Sequence, residues 1–276
     1  MIFDYILILA IIFFLFGTII GSFLNVVIYR MNTSRSLGGR SACMSCQNKL
    51  TWYELIPLFS FLGLGGRCRN CKIKISFQYP LVEFFTGLIF AFLFLKLKDI
   101  YSLFDYAFII AFIYYAVIFS ILVVITVYDL KHKIIPDILS FVFGALAFIG
   151  IFFFSAIGGS AFGGHNIFYP HMPSILEFLS GLLIALPFAF FWLVSSGRWM
   201  GLGDAKLALG IGWLLGLSGA LSGLVIAFYL GAIIGLFLII FSKSFGWSYK
   251  MKSEIPFAPF LVLGTILVFL FELNFF

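Results

Sequence analysis

The four cysteines of the chain form two close pairs with the spacing of a metal site. Two residues separate Cys43 from Cys46, and two separate Cys68 from Cys71. Each pair can offer two thiolates from one tight turn, and two such turns complete a tetrahedral shell around Zn²⁺. A shell of four thiolates leaves no open position for a substrate, so we expect a structural ion. Two redox-active disulfides or four free thiols are the alternatives for these residues.

Two aspartates have the setting of a catalytic pair. Asp129 directly follows the uncharged run 106–128, and Asp204 ends the sequence Gly201-Leu202-Gly203-Asp204 just before another apolar segment. Two carboxyl groups around one water share a proton, so one can act as a base toward water while the other protonates a leaving amine. The two glycines would let a substrate backbone approach closely. This pattern is typical of acid–base hydrolysis of a peptide bond.

Structural roles for the acids remain open on these grounds. Asp204 could cap the N-terminus of the helix that follows it, and Asp129 could be an interfacial acid offset by nearby lysines. Asp137 follows a proline, so we expect it to begin a helix. Glu83 and Glu177 lie early in their apolar segments. A helix-end position explains these two glutamates as well as a function does.

Long apolar helices must position these groups. Of the 276 residues, 63% are hydrophobic and only 10% are charged, against about 25% charged in soluble domains. The mean hydropathy of +1.17 excludes a water-soluble globule and a disordered chain. We predict an all-α polytopic membrane protein with about eight transmembrane helices. The apolar segments are 5–29, 80–95, 106–128, 138–157, 175–197, two within 207–242, and 256–271. The segment 207–242 is too long for one span, and Leu217-Ser218-Gly219 offers a turn between its two helices.

The basic residues predict the orientation of these helices. The loop from Arg30 to Tyr79 holds eight Lys and Arg residues and one acid, so it is expected on the cytoplasmic side. With eight helices, only Lys96 and Lys98 of the 17 basic residues fall on the opposite side. Both termini are therefore predicted outside the cytoplasm, and the first apolar run is predicted to be a retained helix. The net charge of +6 fits an inside-positive membrane protein, so we expect the bilayer and no nucleic acid as a partner.

Three regions follow from this arrangement. Residues 1–29 form a first transmembrane helix, residues 30–79 a cytoplasmic four-cysteine zinc module, and residues 80–276 a transmembrane bundle that carries both aspartates. The loop 30–79 is the only segment long enough to fold in water, and a core of about 50 residues is marginal without a metal. The reducing cytoplasm favours zinc-bound thiolates over disulfides.

An ordered set of motifs resembles the type IV prepilin leader peptidase/N-methyltransferase family. The motifs lie in family order between about residues 21 and 210, and a set this long is specific. They are GSFLNVVIYR at 21–30, the two cysteine pairs, WYELIPLFS at 52–60, GRCRNC at 66–71, YPLVE at 79–83, Asp129 with Pro136-Asp137, and GLGD at 201–204 followed by Ala205-Lys206.

The resemblance implies a bacterial inner-membrane aspartic endopeptidase of the Gly-x-Gly-Asp group, in which Asp129 and Asp204 match the catalytic aspartates. Such enzymes remove the leader of membrane-inserted prepilins and pseudopilins of type IV pilus and type II secretion systems, at the cytoplasmic face. The resemblance also implies S-adenosylmethionine-dependent N-methylation of the new N-terminal residue. The four-cysteine loop accompanies the form with both activities, which makes Zn²⁺ and S-adenosylmethionine the expected cofactors.

Other functions compete with this expectation. The alternative nearest to the bifunctional enzyme is a peptidase without methyltransferase activity. A non-catalytic pilus scaffold is another alternative, and it would tolerate loss of both aspartates. Eight helices with intramembrane glycines also fit a transporter, although no inverted repeat is visible and both acids are predicted at one membrane face. No residue pattern marks a methyl-donor site, because Gly63-Leu64-Gly65-Gly66 lacks the strand-to-helix context and acidic partner of a nucleotide-binding loop.

Overall fold

The computed structural model describes residues 2–33, 36, 38–103, 105–154, 172–198, 200–241 and 255–276. Within these ranges all regular elements are helical, as predicted. They are α1 (Ile2–Arg30), a 3₁₀ turn (Trp52–Leu55), α2 (Phe59–Gly63), α3 (Gln78–Ile100), α4 (Tyr106–His132), α5 (Asp137–Gly150), α6 (Ile175–Ser195), α7 (Leu202–Phe241) and α8 (Ala258–Phe271). Residues 155–171, between the predicted membrane segments 138–157 and 175–197, and the basic residues Lys243, Lys250 and Lys252 lie outside the described residues.

The helices agree with a membrane protein. Five of them (α1, α3, α4, α6 and α7) are long and apolar enough to cross a bilayer, and α5 and α8 are shorter apolar helices. Many large apolar side chains are exposed along them, including Ile8, Ile12 and Ile19 of α1. A surface of this kind suits lipid, since a water-exposed surface would carry charged residues.

The long helix α7 is interrupted at Gly216. This residue has φ 71° and ψ 176°, a conformation that is essentially restricted to glycine. The interruption divides α7 into two apolar segments, so the seven apolar helices comprise the eight predicted segments. It lies one residue before the turn predicted at Leu217-Ser218-Gly219, because the glycine at 216 is the residue that accepts the non-helical geometry.

The chain divides into two compact units, residues 1–124 and 125–276, with the boundary inside α4. The predicted regions 1–29, 30–79 and 80–276 were assigned by their roles and not by their packing. That division stays a prediction. In the first unit, α1 packs on α3 with the backbones in contact. A Cβ atom on Gly17 would lie 2.8 Å from Gly87 Cα, and one on Gly21 would lie 2.8 Å from Glu83 Cα. Small residues four apart permit this approach.

In the second unit, α7 packs against α5, α6 and α8. Its contact with α6 is close, since a Cβ atom on Gly212 would lie 2.6 Å from Gly181 Cα. The Ser180 hydroxyl donates to the Gly212 carbonyl at 2.8 Å. The start of α6 is closed by reciprocal bonds between Ser174 and Glu177, which form a capping box. The first half of α7 is therefore held firmly, and this half carries Asp204.

Candidate active site and metal centre

Asp129 lies in the last turn of α4, and its side chain is buried. Only 5% of the residue is exposed. The backbone N–H of Ala258, the first residue of α8, donates to its carboxylate. The first N–H groups of a helix have no intrahelical acceptor, so they are natural donors to a carboxylate. This contact joins the end of α4 to the start of α8 and holds the carboxyl group in place.

Asp204 is the third residue of α7 and is only partly exposed. Its carboxylate accepts from the Gly201 backbone N–H, and its own N–H donates to the Gly201 carbonyl at 3.2 Å. Because α7 begins at Leu202, Asp204 is the third helical residue and is not the N-cap residue, so the capping alternative of the sequence analysis is wrong as stated. Its carboxylate instead bonds back to Gly201, as the third helical residue does in a capping box. The negative charge of Asp129 also acts on Asp204. Asp129 of α4 therefore lies close enough to Asp204 of α7 for its charge to act on that residue.

The two glycines of the motif have different surroundings. A Cβ atom on Gly203 would lie 2.9 Å from Ile135 Cβ, whereas the nearest described atom to one on Gly201 would be Asp204 Oδ2 at 3.7 Å. Gly203 therefore makes room for the link between α4 and α5, and the close substrate approach predicted for both glycines has space only at Gly201. Asp137 begins α5 as predicted, and it pairs with Lys206 at 2.6 Å.

The four cysteines converge on one point in the first unit. Their Sγ atoms all lie within 4.8 Å of one another, and the Sγ atoms of Cys43 and Cys71 are 3.8 Å apart. Four thiolates bound to tetrahedral Zn²⁺ at ~2.3 Å would lie about 3.8 Å from one another. None of the four is in a disulfide. The residues therefore fit a four-coordinate metal ion.

The two cysteine turns repeat one backbone structure at an interval of 25 residues. Cys43 N–H donates to the Asn48 carbonyl at 3.0 Å, and Cys68 N–H donates to the Ile73 carbonyl at 2.9 Å. Isolated bridges close both turns, one between Ala42 and Lys49 and one between Arg67 and Lys74. Gln47 and Lys72, the residues after each second cysteine, both have φ 58°. The signal for this duplication in the sequence, which was not used above, is the lysine three residues after each cysteine pair.

Two sequence models match the chain in order. Residues 15–97 match the bacterial peptidase A24 N-terminal domain, and residues 116–236 match the type IV leader peptidase family. A Vibrio cholerae protein named prepilin leader peptidase/N-methyltransferase is 30% identical over 94% of this chain and 95% of its own length. The chain belongs to the type IV leader peptidase family.

Other members of the family carry the same name. The Bacillus subtilis relative is 29% identical over 94% of this chain and 93% of its own length. The Myxococcus xanthus relative is 34% identical over 84% of this chain, which spans 63% of that protein. No solved structure matches the chain significantly. Membership favours a multi-pass inner-membrane enzyme over the transporter and the scaffold.

Proposed function

We propose that the protein is a prepilin peptidase that also N-methylates its product. The observation that carries the peptidase activity is the proximity of Asp129 and Asp204 in the second unit, where the charge of the buried Asp129 acts on the partly exposed Asp204. Carboxyl groups that interact in this way are typical of acid–base sites. Both lie at helix ends, where backbone N–H groups hold them. The match to the type IV leader peptidase family supports the same two residues.

Hydrolysis by such a pair needs one proton between the two carboxyl groups. The ionised aspartate takes a proton from water as the water oxygen attacks the scissile carbonyl carbon, and the protonated aspartate stabilises the developing oxyanion. A proton then passes to the departing nitrogen as the C–N bond breaks. The contact of Asp129 with Ala258 and that of Asp204 with Gly201 position the carboxyl groups and limit their reorientation.

The substrate is proposed to be a prepilin or pseudopilin inserted in the same bilayer. Its leader would be removed at the cytoplasmic face, where the basic loop 30–79 is also expected. With eight membrane segments, both termini of this chain lie on the other side. Because the substrate is itself an apolar helix, the exposed apolar surface of the bundle can contact it within the lipid.

The second activity is proposed to use S-adenosylmethionine, which supplies an electrophilic methyl group. The neutral pilin amine forms the new N–C bond with its lone pair as the donor's C–S bond breaks; sulfur keeps the bonding pair, and the proton of the resulting ammonium passes to water. The four cysteines would hold Zn²⁺ in a structural role. The names of the relatives, prepilin leader peptidase/N-methyltransferase, support this pairing of activities.

The test is mass spectrometry of a prepilin incubated with the purified full-length protein in lipid and with labelled S-adenosylmethionine. Wild type should remove the leader and add one methyl group. Asp129→Asn and Asp204→Asn should each lower cleavage by about 10²–10⁴-fold, the usual contribution of general acid–base catalysis. The amide oxygen of Asn can still accept the existing backbone bond, so both variants should fold. Asp99→Asn, on an exposed residue of α3, is the matched control.

Normal leader removal by either aspartate variant would overturn the assignment of that residue. Cleavage without methylation would leave a peptidase alone. No cleavage of several different prepilins by wild type would overturn the peptidase function itself.

A further inference from the structure

The first unit contains a cavity of about 700 Å³ that the peptidase reaction does not use. The C-terminal part of α1 and the start of α3 line one side of it, and residues of the loop between them line the rest. Two of the four cysteines, Cys43 and Cys68, are in its wall. The volume is within the range of ~300–1,000 Å³ found for sites that bind small molecules. A transmembrane helix would not fit such a cavity, whereas a nucleoside-sized ligand would.

Asn25 presents an unsatisfied acceptor in the wall of this cavity. The residue is 1% exposed. Its Nδ2 donates to the Tyr79 carbonyl at 3.2 Å, which determines the orientation of the amide. Its Oδ1 has no hydrogen-bond partner within the described part of the chain. A buried carbonyl oxygen without a partner is costly, so a ligand that donates a hydrogen bond or carries positive charge would stabilise this site.

A buried carboxylate lies in the same wall. Glu83 is 7% exposed and accepts the Leu58 backbone N–H at 2.8 Å. The Ser22 side chain also bonds to it. In the described residues no Lys or Arg forms an ion pair with Glu83, so its charge is not neutralised by a salt bridge. A buried carboxylate of this kind favours a cationic ligand.

The backbone next to Glu83 is strained. Leu58 has φ 61° and ψ −51°, and Phe59 N–H donates to the Pro57 carbonyl at 2.6 Å. Together these values describe a γ-turn with positive φ, which is rare and unfavourable for a residue with a side chain. The bond from Leu58 to Glu83 holds this turn beside the cavity. Strain that the surroundings maintain is concentrated at ligand sites.

Aromatic and basic groups complete the wall. Tyr29 and Tyr79 line the cavity and stack on each other with ring centroids 5.0 Å apart. Lys74 and Arg40 also line it. The cavity therefore has groups for three parts of a ligand. A flat heterocycle can contact the tyrosine rings, a positive centre can contact the Asn25 and Glu83 acceptors, and a carboxylate can pair with a basic side chain.

We propose that this cavity is the methyl-donor site, in which Asn25 and Glu83 face the positively charged groups of S-adenosylmethionine. The inference rests on the methyltransferase half of the proposed function and adds a location and residues to it. It also explains why the four-cysteine module would be required for methylation, because the cysteine turns form part of the cavity wall. Glu83 and Asn25 are binding residues in this proposal, and they take no part in peptide hydrolysis.

The experiment measures binding of S-adenosylmethionine to the purified full-length protein in lipid nanodiscs by calorimetry, without any pilin. Glu83→Gln retains an oxygen that can accept the Leu58 N–H, so it removes the charge and spares the turn. We expect its affinity for the donor to fall about ten-fold or more, the effect of losing one charge-assisted contact. Leader cleavage and zinc content should stay at the wild-type level. Glu177→Gln, which removes a carboxylate from the α6 capping box, should leave binding unchanged.

A second pair of variants distinguishes a loss of donor binding from a general effect on folding. Asn25→Leu should also weaken donor binding about ten-fold, while Thr86→Val removes another buried polar group from the α1–α3 contact without touching the cavity wall. Unchanged donor binding in both Glu83→Gln and Asn25→Leu would overturn the proposal. So would an effect of Glu83→Gln confined to the KM for the pilin, since the carboxylate would then face the pilin amine. If wild type neither binds the donor nor methylates, the methyltransferase function itself fails, which is a different outcome.

Discussion

The glycine at 203 offers a sharp test of how the site is positioned. A methyl group at this position would lie 2.9 Å from Ile135 Cβ, whereas unstrained carbon contacts are ~3.5–4.0 Å. Gly203→Ala must therefore displace Ile135 or the start of α7 by about 0.6 Å or more. Overpacking of this size costs about 1–3 kcal/mol, and the better helix propensity of Ala offsets about 1 kcal/mol. The net destabilisation is therefore about 0–2 kcal/mol, a range that includes no change, so activity is the more informative readout.

Displacement matters because Asp204 is the next residue. A misplacement of about 1 Å can lower a rate by ~10²-fold, so we expect Gly203→Ala to lower kcat for leader removal on the order of ten-fold. The assay is steady-state cleavage of a purified prepilin in lipid, with thermal unfolding measured in parallel. Gly201→Ala is the matched control for stability, because its nearest contact is 3.7 Å away. Its melting temperature should equal that of wild type.

A double-mutant cycle separates packing from other effects of the alanine. Removing the colliding side chain with Ile135→Ala should restore much of the activity of Gly203→Ala, because the new methyl group then has space. Two results would refute the packing argument. One is full activity of Gly203→Ala, and the other is an equal loss of activity with and without Ile135→Ala.

Three further predictions concern the metal, the break in α7 and the topology. The purified protein should contain one Zn²⁺ per chain by elemental analysis, and Cys43→Ser should lower this metal content. The same variant should lower methylation more than it lowers leader removal. Equal loss of both activities would mean that the module supports the whole fold. Gly216→Ala should destabilise the protein by about 1–3 kcal/mol because φ is 71° there. Gly235→Ala lies in the helical part of α7 with its nearest described atom at 3.7 Å, so it should leave the melting temperature unchanged or raise it, by up to about 1 kcal/mol of stability. Equal melting temperatures of the two variants would contradict the strain argument. Reporter fusions should place both termini outside the cytoplasm, and a cytoplasmic signal from either one would refute the eight-segment topology.

Much of the fold follows from local features of the sequence. Segments without charge had to become membrane helices, because bilayer burial of charges is costly and each helix satisfies its own backbone. The cysteine ligands could be predicted for a similar reason, since each pair is brought together by a turn of only a few residues. The break in α7 was predicted within one residue because the uncharged stretch 207–242 is too long for one span. The structure places the break at Gly216, where glycine accepts dihedral angles that other residues avoid.

Features that depend on contacts between residues far apart in the sequence could not be predicted from it. Nothing local shows that Ala258 donates to Asp129, or that Ile135 fills the space beside Gly203. Glu83 and Glu177 illustrate the same limit, because both occupy early positions in apolar segments. The first is buried beside a strained turn, and the second caps its own helix.

By itself, the sequence therefore determined the all-α membrane architecture, the metal ligands and the two aspartates as candidates. These depend on hydropathy, on short spacings and on an ordered set of motifs, all of which are visible along the chain without knowledge of which residues meet in space. Only the tertiary structure decided that the charge of Asp129 acts on Asp204, that a cavity lies between α1, α3 and the cysteine turns, and that the Oδ1 atom of Asn25 has no partner there among the described residues. These features arise where helices from separate parts of the chain pack together, and packing partners are not encoded in any local pattern.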